Sequence, residues 1–469
     1  MGSVTRASRT WAGWLGIVLW TVAVRGDGTR MESRRDREAE SIVVIVTPHP
    51  EEIRTEFAAA FDDWHRARYG AGTRLEWRDV GGSGEAQRFV MSEYAAKPGG
   101  IGIDVFFGGG PEPFLALAEK GLLERHVLSP EAAGGLGREV NGLEIHDGEG
   151  RWHGACLSSF GILRNARVEA WAGLPAARRW EDLANPRLLG WVGAGDPRLS
   201  GTMNNMYEAY LQAFGWERGW SLLARVAGNV RQFDRLSSST AKEAMLGQVA
   251  CAFCIDYYAF VQMAAAGGTN MSFVLPEDFV SVSPDGIAVL RGAPHGKAAG
   301  RLMDFVMGEE GQRLWMLPAG HPQGPRRNTL LRLPVRPGLY DRFASESPIR
   351  VRPFEVRSGF RYNARLANSR RDIVRSMFGA LYVDVHEDLV RAWRRLAELG
   401  VPEAAARELG SVPLGEAEAL ALAKGAWASP LERNRLKTRW QQEARDRYAR
   451  LARLTASTAT PLKHPGNAP

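Results

Sequence analysis

The sequence of 469 residues predicts an α/β protein with two similar halves, followed by a helical region. Two observations carry this prediction. Short runs of β-branched and aromatic residues alternate with amphipathic segments, which is the order of a parallel sheet covered by helices. Several of these runs end in loops rich in Gly, Pro or Ser. The length is sufficient for two or three domains.

The most informative stretch spans residues 101–125. An apolar run that ends at Phe107 is typical of a buried strand, and Gly108, Gly109 and Gly110 interrupt it. Pro111 then favours the first turn of a helix. A strand, a glycine loop without side chains and a helix in this order place free backbone N–H groups at the carboxyl end of the strand. Open sheets hold their ligands at this end. A simple tight turn is the alternative interpretation.

The same order occurs twice before this stretch. Ser41–Thr47 is a predicted strand that ends at Pro48, His49 and Pro50, and a helix follows it to His65. A second strand, Leu75–Val80, precedes Gly82 and Ser83, and another helix follows.

The second half repeats the pattern. Its predicted strands are Ala155–Leu163, Trp191–Ala194, Val230–Phe233 and Val249–Ile255. The loops after them contain Ser200–Thr202 and Ser237–Thr240, and we expect the latter to cap a helix over Ala241–Leu246. Asp256, Tyr257 and Tyr258 follow the last of these strands.

Composition limits the function classes. A hydrophobic fraction of 45% and a net charge of +7 are typical of a soluble protein and do not argue for nucleic acid as a partner. Three cysteines make no disulfide framework, and we expect Cys251 and Cys254 to be buried thiols of a strand. The sequence lacks a nucleophile elbow, a phosphate loop and a paired-His helix, so we expect no enzyme and assign no cofactor.

The N-terminal residues 1–40 are interpreted as a signal peptide or membrane anchor with a charged linker. Arg6 and Arg9 precede the uncharged apolar run Trp11–Val24. The length of this run is that of a signal-peptide core and is short for a spanning helix. We therefore expect export to the periplasm, with an uncleaved anchor as the alternative.

The ordered set of motifs resembles the extracellular solute-binding proteins of ABC importers, in particular the branch assigned to ferric iron and related anionic cargo. The segments that carry the resemblance are Pro48–Phe57, Gly81–Gly84, Asp104–Arg125, Trp180–Pro186, Asp196–Thr202, Ile255–Ala259 and Phe305–Trp315. The resemblance implies a monomer with the two-lobe periplasmic-binding-protein fold. It also implies a hinge, a small ligand in the cleft and delivery to a membrane permease. The expected parts are lobe 1 (41–145), lobe 2 (146–285) and the completion of lobe 1 (286–345).

Candidate ligand-binding residues lie in the strand-to-helix loops of both halves. They are Gly82, Ser83, Gly109, Gly110, Ser200, Gly201, Thr202, Ser238, Ser239, Asp256 and Tyr257. Backbone N–H groups, hydroxyls and helix dipoles neutralise oxyanion charge without a buried Lys. Ordinary helix capping is the alternative for each loop taken alone.

Ferric iron is a second possible cargo. The resemblance implies that paired tyrosines supply phenolates and that a first-lobe His assists, which assigns Tyr257, Tyr258 and His49 to this role. Fe(III) favours charged oxygen ligands. A phosphate-, phosphonate- or carboxylate-type solute is the alternative, since the Ser- and Thr-rich loops suit it equally.

The carboxyl-terminal third departs from the family pattern. Residues 346–457 predict a helical extension, because apolar residues recur at helical spacing after Ala367 and a capping box at Ser429 opens a long helix. Residues 458–469 are predicted to be a disordered tail. An alternative function follows: the same scaffold, tethered at its N-terminus, acts as a ligand sensor or interaction module.

Overall fold

A computed structural model describes residues 39–267 and 270–455. The predicted signal peptide or anchor, apart from its last two residues, and the predicted tail lie outside the described residues. Among the helices of the described ranges, none combines the length and the apolar character needed to cross a membrane.

The structure contains one large mixed sheet and a small hairpin. The strands are β1 Ala39–Thr47, β2 Gly72–Asp79, β3 Val105–Phe107, β4 Glu139–Val140, β5 Leu143–Glu144, β6 His153–Asn165, β7 Val192–Gly195, β8 Val230–Asp234, β9 Cys251–Ile255, β10 Met271–Val274 and β11 Ser281–Val289. The order in the large sheet is β2-β1-β3-β11-β6-β9-β7-β8, with β10 beside β6, and β4 pairs with β5.

Two groups of parallel strands lie at the two ends of the large sheet. Strand β1 pairs in parallel with β2 and β3, and β7 pairs in parallel with β8 and β9. The two antiparallel strands β6 and β11 connect the groups. This arrangement confirms the predicted α/β fold, while the lobe boundaries at 145 and 285 stay predictions.

Seventeen α-helices lie in the described residues. They are α1 Glu51–Tyr69, α2 Ser83–Ala96, α3 Pro111–Glu119, α4 Pro130–Ala133, α5 Ala166–Ala172, α6 Gly201–Phe214, α7 Trp216–Asn229, α8 Ser237–Met245, α9 Asp256–Ala265, α10 Gly296–Met307, α11 Glu309–Met316, α12 Gly338–Arg342, α13 Ala364–Phe378, α14 His386–Glu398, α15 Glu403–Leu409, α16 Glu416–Lys424 and α17 Pro430–Leu451. Short 3-10 turns and a π-helix, Gly379–Val383, connect some of them.

Each half of the sheet has its own hydrophobic core. In the first half, Phe57 of α1 packs against Trp315 of α11, with ring centroids 4.4 Å apart. Helices α10 and α11 follow β11 in the chain, so the polypeptide returns to the first half after it has built the second. In the second half, Trp180 stacks on Phe253 at 5.1 Å. The buried thiols Cys251 and Cys254 lie in β9, as the sequence predicts.

The C-terminal helices belong to the core of the second half. Helices α13 to α17 share one continuous cluster of buried side chains with α6 and α7. The ring of Phe378 stacks on Tyr207 at 4.2 Å, and Trp393 donates a hydrogen bond to Asn229 Oδ1 at 2.7 Å. A Cβ atom built on Gly228 would lie 2.6 Å from Trp393 Cγ, so this glycine permits the close approach of α14 to α7.

We predict that Trp393→Ala lowers the free energy of unfolding by about 3–5 kcal/mol, because it leaves a cavity in the shared core and removes the partner of Asn229. Trp171→Ala is the control, since this side chain is 79% exposed, and we expect a change of about 0.5 kcal/mol or less. Denaturant unfolding followed by far-UV circular dichroism measures both. An equal effect of the two substitutions would contradict the packing of the extension into this core.

Candidate functional site

A cavity of about 660 Å³ lies where the two halves of the molecule and the C-terminal helices meet. Its lining residues are Gly82, Ser83, Gly84, Glu85, Gln87, Arg88 and Met91 from the first half, Pro197, Arg198, Leu199, Gly201 and Asn204 from the second half, and Asn368, Arg371, Asp372, Arg375 and Ser376 from α13. Helices α2 and α6 both begin at this cavity, so the positive ends of their dipoles point towards it.

Two consecutive glycines let the first-half loops approach one another. Gly108 has φ +104° and Gly109 has φ +91°, a region that glycine adopts without strain. A Cβ atom on Gly109 would lie 2.6 Å from Ser83 Cβ, and one on Gly108 would lie 2.7 Å from His49 Nε2. The glycine loop therefore separates two environments, the cavity around Ser83 and a buried cluster around His49.

Three parts of the chain converge at Gly201. A Cβ atom on this residue would lie 3.7 Å from both Ser83 Oγ and Arg371 Nη2. The structure thus brings the predicted residues Ser83 and Gly201 together across the cleft, with Gly109 next to Ser83. Ser200 accepts a hydrogen bond from Met203 N at 3.3 Å, so its hydroxyl caps α6.

Several predicted residues lie elsewhere. Ser238 and Ser239 occupy the first turn of α8 and are not part of the cavity wall. The prediction that Ser237–Thr240 caps a helix beginning at Ala241 is wrong, because α8 already begins at Ser237. Thr240 Oγ1 donates a hydrogen bond to the carbonyl of Ser237 at 2.8 Å, within this helix. Gly110 is the N-cap of α3, and Thr202 lies in the first turn of α6.

Asp256 lies in a second, buried cluster. Its carboxyl group accepts hydrogen bonds from Ser159 N at 2.6 Å, from Ser159 Oγ at 2.8 Å and from Tyr257 N at 2.7 Å. Burial nevertheless raises the pKa of Asp256 to about 7. The carboxyl group thus joins β6 to the start of α9, which favours a structural role for its oxygens.

The buried guanidinium of Arg332 dominates the surroundings of Tyr257. Arg332 bonds to Asp285 at 2.6 Å and to Ser158 Oγ at 3.1 Å, and its Cζ lies 3.7 Å from the centre of the Tyr257 ring. Tyr258 packs on Tyr257 with ring centroids 4.0 Å apart. Burial raises the pKa of Tyr257 well above that of a free phenol, although Arg332 acts in the opposite direction.

His49 is buried against Phe107, with ring centroids 4.7 Å apart, and neither of its ring nitrogens has a hydrogen-bond partner among the described residues. Burial, assisted by Arg332, holds the pKa of His49 well below its ordinary value, so the imidazole is neutral. A neutral imidazole can ligate a metal. Within the described ranges, however, no cluster of three or more His, Cys, Asp or Glu could hold a metal ion.

The sequence prediction missed Arg332, Arg371 and Asn204. Arg332 and Arg371 lie in Arg-rich stretches, where a single functional arginine has no distinguishing signal. Asn204 lies only three residues after Gly201, so its position near the start of α6 could have indicated that it belongs to the site.

Comparison with known proteins finds one matching family model. Residues 103–326 match the family model of bacterial extracellular solute-binding proteins. Over these residues, which are just under half of the chain, the sequence is similar to that family. The matched segment contains the glycine loop, β6 to β11 and the start of α6, and it ends before the C-terminal extension.

Solved structures have the same fold as this chain. The periplasmic binding protein AfuA of Actinobacillus pleuropneumoniae, with bound fructose-6-phosphate, matches 74% of this chain and 100% of its own, with a TM-score of 0.58 and 18% identity. Iron-bound HitA of Pseudomonas aeruginosa matches 69% of this chain and 94% of its own, with a TM-score of 0.52 and 21% identity. At these identities the likeness establishes the fold alone.

Among curated proteins, the chain is similar to the phosphoglycerate transport regulatory protein PgtC of Salmonella typhimurium. The two are 27% identical over 240 residues, which is 51% of this chain and 56% of PgtC. The match thus spans little more than half the length of PgtC. An uncharacterised protein of Haemophilus influenzae is 26% identical over 223 residues, 45% of this chain and 60% of its own.

We predict that Asp256 makes stability fall as the pH rises from about 4 to about 7. In this window the folded protein retains the Asp256 proton, whereas the unfolded chain has released it, so unfolding becomes more favourable with rising pH. Across this pH window, release of the Asp256 proton from the unfolded chain lowers the free energy of unfolding by about 4 kcal/mol in total. Urea unfolding of the wild type and of Asp256→Asn at several pH values measures it. A stability difference between the two that does not change with pH contradicts the prediction.

Proposed function

We propose that this protein captures a small anionic solute between its two lobes and is the binding component of an ABC importer. The observation that carries the proposal is the convergence of Ser83 and Gly201 across the cleft. Each residue begins a helix, so two helix N-termini from opposite lobes face one cavity. Such N-termini bind anions through free backbone N–H groups and the helix dipole.

The charges around the cavity support an anionic rather than a cationic solute. The carboxylates of Glu85 and Asp372 each pair with an arginine of the same helix, at 2.9 and 2.6 Å. A cation in the cavity would therefore face the positive ends of two helix dipoles and few free carboxylates.

A phosphorylated carboxylic acid is the solute that we propose to test first. The name of PgtC refers to phosphoglycerate, and AfuA was solved with a sugar phosphate. Both solutes carry a phosphate ester, whose oxygens match several N–H donors at once. Delivery to a membrane permease, a periplasmic location, a monomeric state and the absence of a catalytic step are parts of the same proposal.

A ligand sensor is the second candidate, and the description of PgtC as a regulatory protein favours it. A strain without the gene, given 3-phosphoglycerate as carbon source, separates the two. Loss of uptake while the permease is expressed from an independent promoter supports the importer component. Intact uptake under this promoter, with loss of induction from the natural one, supports the sensor.

Ferric iron is the less favoured cargo, because Arg332 lies on the ring of Tyr257 and would repel a trivalent cation. Addition of ferric citrate to the purified protein tests this choice. We expect no visible charge-transfer absorption. A band that appears and is lost in Tyr257→Phe would support iron and contradict the anion proposal.

We predict that Ser83→Ala weakens binding of 3-phosphoglycerate about 10-fold or more, because a hydrogen bond to a charged group is lost. Ser92→Ala is the matched control, since this exposed serine lies on the same helix, away from the cavity, and we expect an unchanged Kd. Isothermal titration calorimetry measures both. Equal affinities of the two variants would contradict the placement of the solute at Ser83.

A further inference from the structure

The C-terminal extension forms one wall of the cavity. Five lining residues belong to α13, namely Asn368, Arg371, Asp372, Arg375 and Ser376. All five lie beyond residue 326, where the family match ends. This wall is therefore an addition of this chain to the matched segment.

A buried ion pair fixes the orientation of α13. The guanidinium of Arg370 bonds to Glu208 of α6 at 2.8 Å, and each side chain is only 1% exposed. At the end of α13, Phe378 stacks on Tyr207. Two anchors about two turns apart hold α13 against α6, so the next residue, Arg371, lies at the N-terminus of α6, within reach of Gly201.

Arg371 differs from the other arginines of the cavity. The three others are each paired with a carboxylate: Arg88 with Glu85 at 2.9 Å, Arg198 with Asp196 at 2.8 Å, and Arg375 with Asp372 at 2.6 Å. Arg371 makes no ion pair and no hydrogen bond with any residue that the structure describes. Its guanidinium is free to bind a phosphate or carboxylate with two parallel hydrogen bonds.

Asn204 is an independent sign of a ligand at this place. It lies on α6 one turn after Gly201, lines the cavity and is 4% exposed. Its Oδ1 atom has no hydrogen-bond partner among the described residues. A buried amide oxygen without a partner is costly, and the NH₂ group of the same amide can donate a hydrogen bond to an anion.

We propose that Arg371, supplied by the C-terminal extension, binds the anionic group of the solute together with Asn204 and the N-terminus of α6. This inference rests on the proposed function and deepens it. The extension is then a part of the binding site rather than an appendage, and it selects solutes with a group that can accept a bidentate contact.

The test compares Arg371→Ala, Arg371→Lys and Arg365→Ala by isothermal titration calorimetry with 3-phosphoglycerate, glycerate and inorganic phosphate. Arg365→Ala is the matched control, because it removes the same charge from an exposed position of the same helix. We expect Arg371→Ala to weaken binding of 3-phosphoglycerate about 10- to 100-fold and Arg365→Ala less than about 2-fold. Arg371→Lys, which keeps the charge without the fork, should recover a part of the loss.

The outcomes separate the two proposals. If the wild type binds 3-phosphoglycerate and both alanine variants bind it equally well, Arg371 has no role and the proposed function stands. Binding of none of the three compounds by the wild type overturns the proposed function and this inference with it. Melting curves without ligand show whether Arg371→Ala remains folded; a loss of affinity accompanied by unfolding, and not recovered in Arg371→Lys, would also overturn the inference.

Discussion

The position of the C-terminal helices depends on the buried ion pair between Glu208 and Arg370. Two charges that are removed from water pay a large desolvation cost, and only close, multiple hydrogen bonds offset it. Here the guanidinium contacts both oxygens of Glu208, with Nε–oxygen distances of 3.1 and 3.2 Å, and it also pairs with Glu416 of α16. Because α6 begins at the cavity and α13 walls it, this ion pair and the stack of Phe378 on Tyr207 together set the geometry of both helices.

The glycine loop at residues 108–110 imposes a second constraint. It must accommodate the start of α2 on one side and the imidazole of His49 on the other, at distances that no Cβ atom permits. The loop follows β3, which pairs with β11, one of the two strands that connect the halves of the sheet. A movement of one half relative to the other would therefore change the cavity between Ser83 and Gly201.

Charge separates the two environments beside this loop. The buried cluster around Tyr257 is built on Arg332, whose charge Asp285 balances at 2.6 Å. The cavity contains helix N-termini and an arginine without a carboxylate partner in the described structure. An anion in the cavity balances the positive charge of the helix N-termini and of Arg371. A metal ion beside Arg332 instead adds positive charge to a cluster whose charges already balance.

The sequence by itself determined the strands and the loops that follow them, because β-branched runs and glycines are local signals. The predicted strand Trp191–Ala194, for example, is observed as Val192–Gly195. It also determined that Ser83, Gly109 and Gly201 lie at strand-to-helix loops. Only the tertiary structure decided that Arg371 joins Ser83 and Gly201, and that Ser238 and Ser239 do not. The physical reason is that such contacts depend on the packing of helices more than a hundred residues apart, which leaves no periodicity or motif in one sequence.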